Sequence, residues 1–155
     1  KVDKAAQGGN KHAIEFPRAK VGDNPYDFSF SGLKSAVLNY INHAKMTGEE
    51  IVVPDLAASF QNAVVEVLVT RTVLAAKEYG YDKVAIAGGV ASNTALREGM
   101  KEACQKAGLK FYYPSPVYCT DNAAMIGVAA YYEYIGGSRA GWDLNAVPNL
   151  KLGER

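Results

Sequence analysis

Lys83-Val84-Ala85-Ile86-Ala87-Gly88-Gly89-Val90-Ala91-Ser92-Asn93 decides the fold class, because the hydrophobic period changes inside it. The short apolar run Val84 to Ala87, bounded by a lysine and a glycine pair, predicts a strand buried on both faces. Beyond Asn93 the spacing becomes helical. Leu96, Met100, Ala103, Cys104 and Ala107 make one inward stripe, and Gly108 stands where a left-handed C-terminal cap falls. Leu109 to Tyr113 predicts a second strand, stopped by Pro114 and Pro116. Thr120 or Asp121 is then placed to cap a helix through Ala124, Ile126, Val128, Tyr131 and Tyr132 to Gly136-Gly137.

Upstream, Pro54-Asp55 opens a helix in which Leu56, Phe60, Val64, Val67, Leu68, Leu74 and Ala75 share a face. From Pro54 to Tyr79, at about 1.5 Å per residue, it runs about 39 Å, the length of a core helix. Before it, Leu33, Val37, Tyr40 and Ile41 mark an amphipathic helix that Ser31 would cap and that ends near Gly48. From Gln7 to Asp27 the chain reads as loop, with one short strand over His12 to Phe16. Helix, strand, helix, strand and helix joined by short links predict an open α/β sheet and not a bundle.

The chain has 155 residues, of which 48% are hydrophobic, enough for one folded domain. Its formal charge of +1 provides no overall basic field, so any nucleic-acid contact needs a local patch. Cys104 and Cys119 form no disulfide framework or zinc ribbon, which points to a reducing compartment. The longest apolar run, Ala123 to Tyr132, is about half the ~20 residues that a membrane-spanning helix requires. A soluble, cytoplasmic protein without membrane contact is therefore expected. The opening Lys1-Val2-Asp3 lacks a methionine, and Val2 to Ala6 reads as the middle of a helix, which predicts a piece of a longer protein.

Three stretches can carry chemistry. In Gly88-Gly89-Val90-Ala91-Ser92-Asn93 the glycines allow close backbone approach to a ligand, and the following helix start offers free N–H groups. The same residues also suit a plain tight turn with Ser92 or Asn93 as helix cap. The turn matches neither G-x-x-x-x-G-K-S/T nor G-x-G-x-x-G. In Cys119-Thr120-Asp121-Asn122 the carboxylate suits a divalent ion or the positive end of a helix dipole. Phe28-Ser29-Phe30-Ser31-Gly32-Leu33-Lys34 alternates aromatics and hydroxyls into a helix start, and no nucleophile elbow surrounds its serines. His12 and His43 form no metal-binding pair, and the tyrosines divide between strand and helix without making a stacking platform.

Taken in order, Phe28 to Lys34, then Ala87 to Asn93 with Leu96-Arg97, then Cys119-Thr120-Asp121-Asn122-Ala123-Ala124-Met125-Ile126 closely resemble the bacterial tRNA threonylcarbamoyladenosine transferase family (TsaD), formerly described as glycoprotein endopeptidases. Val2-Asp3-Lys4-Ala5-Ala6 resembles the segment after that family's G-G-P turn, so the resemblance covers nearly the whole chain as a C-terminal half. Ala123 departs from the glycine of many members, and Ala91-Ser92 replaces a Ser-Ala or Ala-Ala pair.

The resemblance implies an actin-like (sugar-kinase-like) α/β nucleotide-binding fold, with this chain mainly the second lobe. Residues 1–27 would be loop and short strand, 28–53 a helical insertion, 54–137 the α/β core and 138–155 a tail of a single lobe. It implies transfer of a threonylcarbamoyl group from threonylcarbamoyl-adenylate to the exocyclic amine of an adenosine beside the anticodon of tRNA. Asp3 and Asn93 map to nucleotide or adenylate contacts, and Asp121 to the carboxylate ligand of one divalent metal, iron or zinc; the turn at Gly88 and Gly89 completes the expected substrate-binding set, its N–H groups placed to support the anionic part of the adenylate. The remaining metal ligands would be an H-x-x-x-H pair in the N-terminal half, and that half and accessory subunits of a modification complex would be protein partners. The resemblance leaves the catalytic residues unassigned. The fragment alone is expected to be inactive. Three rival readings are a sugar kinase or ATPase of the same superfamily, a metalloprotease, and a non-catalytic nucleotide-binding module.

Overall fold

The computed structural model describes residues 1–18 and 22–151. Part of the expected opening loop, residues 19–21, and the end of the expected tail, residues 152–155, lie outside the described residues. The chain divides into two compact units, Lys1–Thr120 and Asp121–Arg155.

The first unit opens with a short helix, α1 (Val2–Ala5). Two longer helices follow, α2 (Ser31–Thr47) and α3 (Val53–Glu78). Strand β1 (Lys83–Ala85), helix α4 (Thr94–Ala107) and strand β2 (Lys110–Tyr112) then form a parallel crossover. The pairing register is Lys83 with Lys110, Val84 with Phe111 and Ala85 with Tyr112, and Ile86 N–H extends it to the Tyr112 carbonyl at 3.1 Å. Gly48 and Gly108 end α2 and α4 in the left-handed conformation, at φ of 76° and 72°.

Helix α3 serves two apolar clusters along its length. Near its start Leu56, Phe60, Ala63 and Val64 meet Ile14, Phe16, Phe30, Leu33, Val37 and Tyr40, which docks α2 and the loop before it. Further on, Val65, Leu68, Val69, Val73 and Ala76 pack with Val84, Leu96, Met100 and Cys104, so α4 and the sheet sit on the same helix. Close approach is visible at Gly99, where a Cβ would lie 3.2 Å from Val65 Cγ1. Cys104 is fully buried in this second cluster, and burial pushes its thiol up from the ordinary value. Leu74, expected on the buried face, is instead exposed, because α3 turns different faces to its two clusters.

Several local expectations are corrected. His12–Phe16 is not a strand. The Ile14 N–H donates to Ser59 Oγ at 3.1 Å, and Ser59 Oγ donates to the Asn10 carbonyl at 3.2 Å, so α3 side chains satisfy backbone groups that a sheet would otherwise pair. Strand β1 buries one face, with Val84 inward and Lys83 and Ala85 exposed. Ser31 is the first helical residue of α2, Phe30 holds the N-cap position, and Ser29 Oγ accepts from the Ser31 N–H at 3.2 Å.

The second unit consists of helix α5 (Ala123–Ile135) and the turns after it. Asn122, not Thr120 or Asp121, caps α5, its Oδ1 accepting from Met125 N–H at 3.1 Å. Arg139 closes the other end by donating to the Tyr134 carbonyl at 2.7 Å, with its guanidinium 3.8 Å from the Tyr134 ring centre. No helix among the described residues is long and apolar enough to cross a membrane.

Candidate functional site

The turn between β1 and α4 begins at Gly88, whose φ of 83° and ψ of 175° belong to a region that side-chain-bearing residues rarely enter. A 3-10 turn, Gly89–Ser92, then leads to Asn93. Among the described residues nothing crowds Gly89. A Cβ there would meet only the Thr120 methyl, at 3.9 Å. Glycine at 88 thus serves backbone conformation, whereas glycine at 89 leaves open surface on the outside of the turn.

Asn93 performs two tasks at once. Its Oδ1 caps α4 by accepting from Leu96 N–H at 2.8 Å, and its Nδ2 donates to Gln61 Oε1 of α3 at 2.7 Å. One Nδ2 hydrogen remains for another acceptor. Asp3, far away in sequence, reaches the same helix start: its Oδ2 accepts from Thr94 N–H at 3.3 Å. Four of the expected site residues, Asp3, Gly88, Gly89 and Asn93, therefore converge on one corner of the first unit.

This corner differs from the expected one in where its free donors lie. At the start of α4 the Thr94 and Leu96 N–H groups are already taken by Asp3 and Asn93, so it presents fewer open N–H groups than a bare helix terminus. The leading N–H groups of the 3-10 turn, at Gly89 and Val90, have no acceptor inside the turn, and Val90 is exposed. An anionic group fits there. The Asp3 carboxylate, with its other oxygen open, suits a hydroxyl donor instead.

Asp121 lies in the second unit, one residue before the α5 cap. Its carboxylate is exposed and has no hydrogen-bond partner among the described residues, since Asn122 does the capping. Both oxygens are open to a cation. Among the described residues no group of three or more His, Cys, Asp or Glu side chains could hold a metal ion, so Asp121 fits as one donor of a site and not as a whole one.

Sequence reasoning missed two participants. Gln61 is one of several polar residues on α3, with Asn62 beside it, so nothing in the sequence singles it out. Arg97, quoted above only for the resemblance, is a cation one turn inside the positive end of α4, and that anomaly marks a specific partner.

Asn93→Ala in the full-length protein is expected to cost about 1–2 kcal/mol of stability, because the cap and the Gln61 bond go together. Asn93→Asp keeps the cap and should cost less. Both should weaken adenylate binding by about 1–3 kcal/mol in calorimetric titration if the remaining Nδ2 hydrogen meets the ligand. Unchanged affinity in both would leave Asn93 a cap alone.

The family profile described as tRNA N6-adenosine threonylcarbamoyltransferase (TsaD) matches residues 1–128. Curated proteins of that name are 57% identical over all 155 residues in Clostridium beijerinckii and 56% identical over 153 residues in Clostridioides difficile. The chain covers 46% and 45% of those two proteins, so it spans about half the length of the relatives it matches. Among solved structures, T. kodakarensis HypF superposes with a TM-score of 0.62 over 88% of this chain and 16% of its own, at 22% identity. That likeness concerns the fold alone, and it agrees with an α/β fold related to the nucleotide-binding one expected. On the family match and the relatives together, this chain belongs to the tRNA N6-adenosine threonylcarbamoyltransferase family.

Proposed function

We propose that the chain is the adenylate-holding part of an enzyme that moves a threonylcarbamoyl group from threonylcarbamoyl-adenylate to the exocyclic amine of an adenosine beside the anticodon of tRNA, in the cytoplasm. The observation that carries this reading is the convergence of Asp3 with Gly88, Gly89 and Asn93 at one helix start, although Asp3 and Thr94 are 91 positions apart. A family whose relatives bear the transferase name supports the choice of reaction.

In the transfer, the adenosine amine attacks the carbamoyl carbon, the bond from that carbon to the phosphate oxygen breaks, AMP leaves, and the amine gives up a proton. The chain's own contribution is binding and orientation. The Gly89 and Val90 N–H groups face the phosphate, the Asn93 amide donates to the nucleotide, and Asp3 accepts from a sugar hydroxyl. With these contacts made only at the correct pose, the reactive carbonyl is held for attack.

Asp121 would give one oxygen to a divalent ion, iron or zinc, whose other ligands are histidines elsewhere in a longer protein. When bound, such an ion polarises a carbonyl or neutralises a phosphate leaving group. The same proposal makes this chain mainly the second lobe of an actin-like fold, with residues 28–53 as a helical insertion on the 54–137 core. It also gives the chain the remaining half of the protein and accessory subunits as partners.

The test incubates the metal-loaded full-length protein, with its accessory subunits, with threonylcarbamoyl-adenylate and unmodified tRNA, and reads the modified adenosine by mass spectrometry. Modification by the full-length protein and none by the 155-residue chain is expected. Unmodified tRNA in the first arm would overturn the reaction assigned, and modified tRNA in the second would overturn the division of the site between two halves.

A further inference from the structure

We propose that Arg97 is the positioning residue of the Gly88–Asn93 turn, tying it to the segment Pro114–Cys119 and so setting where the turn's N–H groups point. Its Nε donates to the Ala91 carbonyl inside the turn. Its Nη2 donates to the Pro114 carbonyl at 2.9 Å and lies 3.2 Å from Cys119 Sγ. The guanidinium also lies over the Tyr113 ring, 4.7 Å from its centre. One side chain thus spans two loops that leave the sheet after β1 and after β2.

Two features make this more than ordinary packing. A cation one turn inside the positive end of α4 is disfavoured by the helix dipole, and no carboxylate forms an ion pair with Arg97 among the described residues. Its placement is held by carbonyls, a sulfur and a ring. The turn's own backbone bonds, such as Ala91 N–H to the Gly88 carbonyl at 3.0 Å and Asn93 N–H to the Val90 carbonyl at 2.9 Å, are local and do not reach the segment after β2, whereas Arg97 does. A planar guanidinium presents donors in fixed directions and can brace Ala91 and Pro114 simultaneously. A lysine ammonium is a single point charge and cannot reproduce that fork.

The consequence for substrate rests on the adenylate reading above, whereas the brace itself does not. Arg97→Lys and Arg97→Met are made in the full-length protein and read in two ways. Amide exchange is expected to lose protection at Ala91 and Asn93 in both variants, while the Met100 to Cys104 amides inside α4 keep theirs. In steady-state kinetics the KM for threonylcarbamoyl-adenylate should rise at least about tenfold in both, with the KM for tRNA within about twofold of wild type. Lysine should rescue neither readout.

Unchanged exchange at Ala91 and Asn93 would overturn the proposal. So would recovery of the adenylate KM by lysine, since the residue would then act by charge, and so would protection lost equally throughout α4, which marks general stability. If the wild-type protein transfers nothing, the reaction assigned above fails, and the exchange experiment still decides the brace.

Discussion

Full-length Asp121→Asn is expected to unfold within about 1 kcal/mol of wild type, yet to lose its bound metal and at least about 100-fold in turnover. The separation of the two effects follows from the start of α5. Asn122 caps the helix through Met125 N–H, so the neighbouring carboxylate has no capping task to forfeit. What remains for Asp121 in the fold is its charge near the positive end of α5, a surface term of at most about 1 kcal/mol. If Asp121 is the ligand proposed above, removing that charge while keeping the side-chain size would take an anionic oxygen from the ion and little from the fold. Metal content by elemental analysis, melting temperature and tRNA modification are measured on one preparation. Wild-type metal and turnover in the variant would refute the ligand assignment.

The largest stability effect is expected at Gly9. A Cβ there would lie 2.1 Å from the Pro54 carbonyl oxygen and 2.4 Å from its carbon, both backbone atoms at the start of α3. The loop cannot simply back away. The Asn10 N–H donates to Asp55 Oδ1 at 2.8 Å, and Ser59 holds Asn10 and Ile14. Gly9→Ala should therefore cost about 2–3 kcal/mol by overpacking, read as a lower urea midpoint with unchanged slope. Gly8→Ala is the control. Gly8 has open space around it and pays only for its φ of 78°, about 1–2 kcal/mol. Equal losses at both positions would show that the Pro54 contact yields. Because α1 packs on α3 just before this loop, Gly9→Ala should also draw Asp3 away from Thr94 and, on the reading proposed above, weaken adenylate binding.

The helices were legible because their signals are local. Gly48 and Gly108 stop α2 and α4 where expected, since a left-handed cap needs only one residue without a Cβ. Helix α3 starts at Val53, one residue before the expected Pro54, and ends one before Tyr79. The α5 cap was misread because Thr120, Asp121 and Asn122 all have capping side chains, and only the position of Met125 N–H selects among them. The His12–Phe16 strand failed for the opposite reason: its alternation is real, but Ser59, 45 residues from Ile14, takes the hydrogen bond that a strand partner would. At the site, composition and spacing gave the glycines and left Asn93 open between cap and contact. The link from Asp3 to α4 has no local signal at all, and only the family resemblance relates the two.

The Asp3–Thr94 hydrogen bond has a consequence for the order in which the molecule assembles. Joining residues separated by 91 positions costs about 4 kcal/mol of chain entropy if nothing else has formed, while one bond to a carboxylate returns about 1.5–3 kcal/mol. That bond cannot draw the ends together unaided. It closes once α1 has docked on α3 and α4 has packed against the same helix, so it is among the last native contacts to form and the first to fray. Helix α4 and its Asn93 cap can exist in a partly folded chain; the Asp3 carboxylate beside them cannot. The corner is thereby complete only in a finished fold; on the adenylate reading proposed above, a reactive adenylate would not be gripped by chains still in the course of folding.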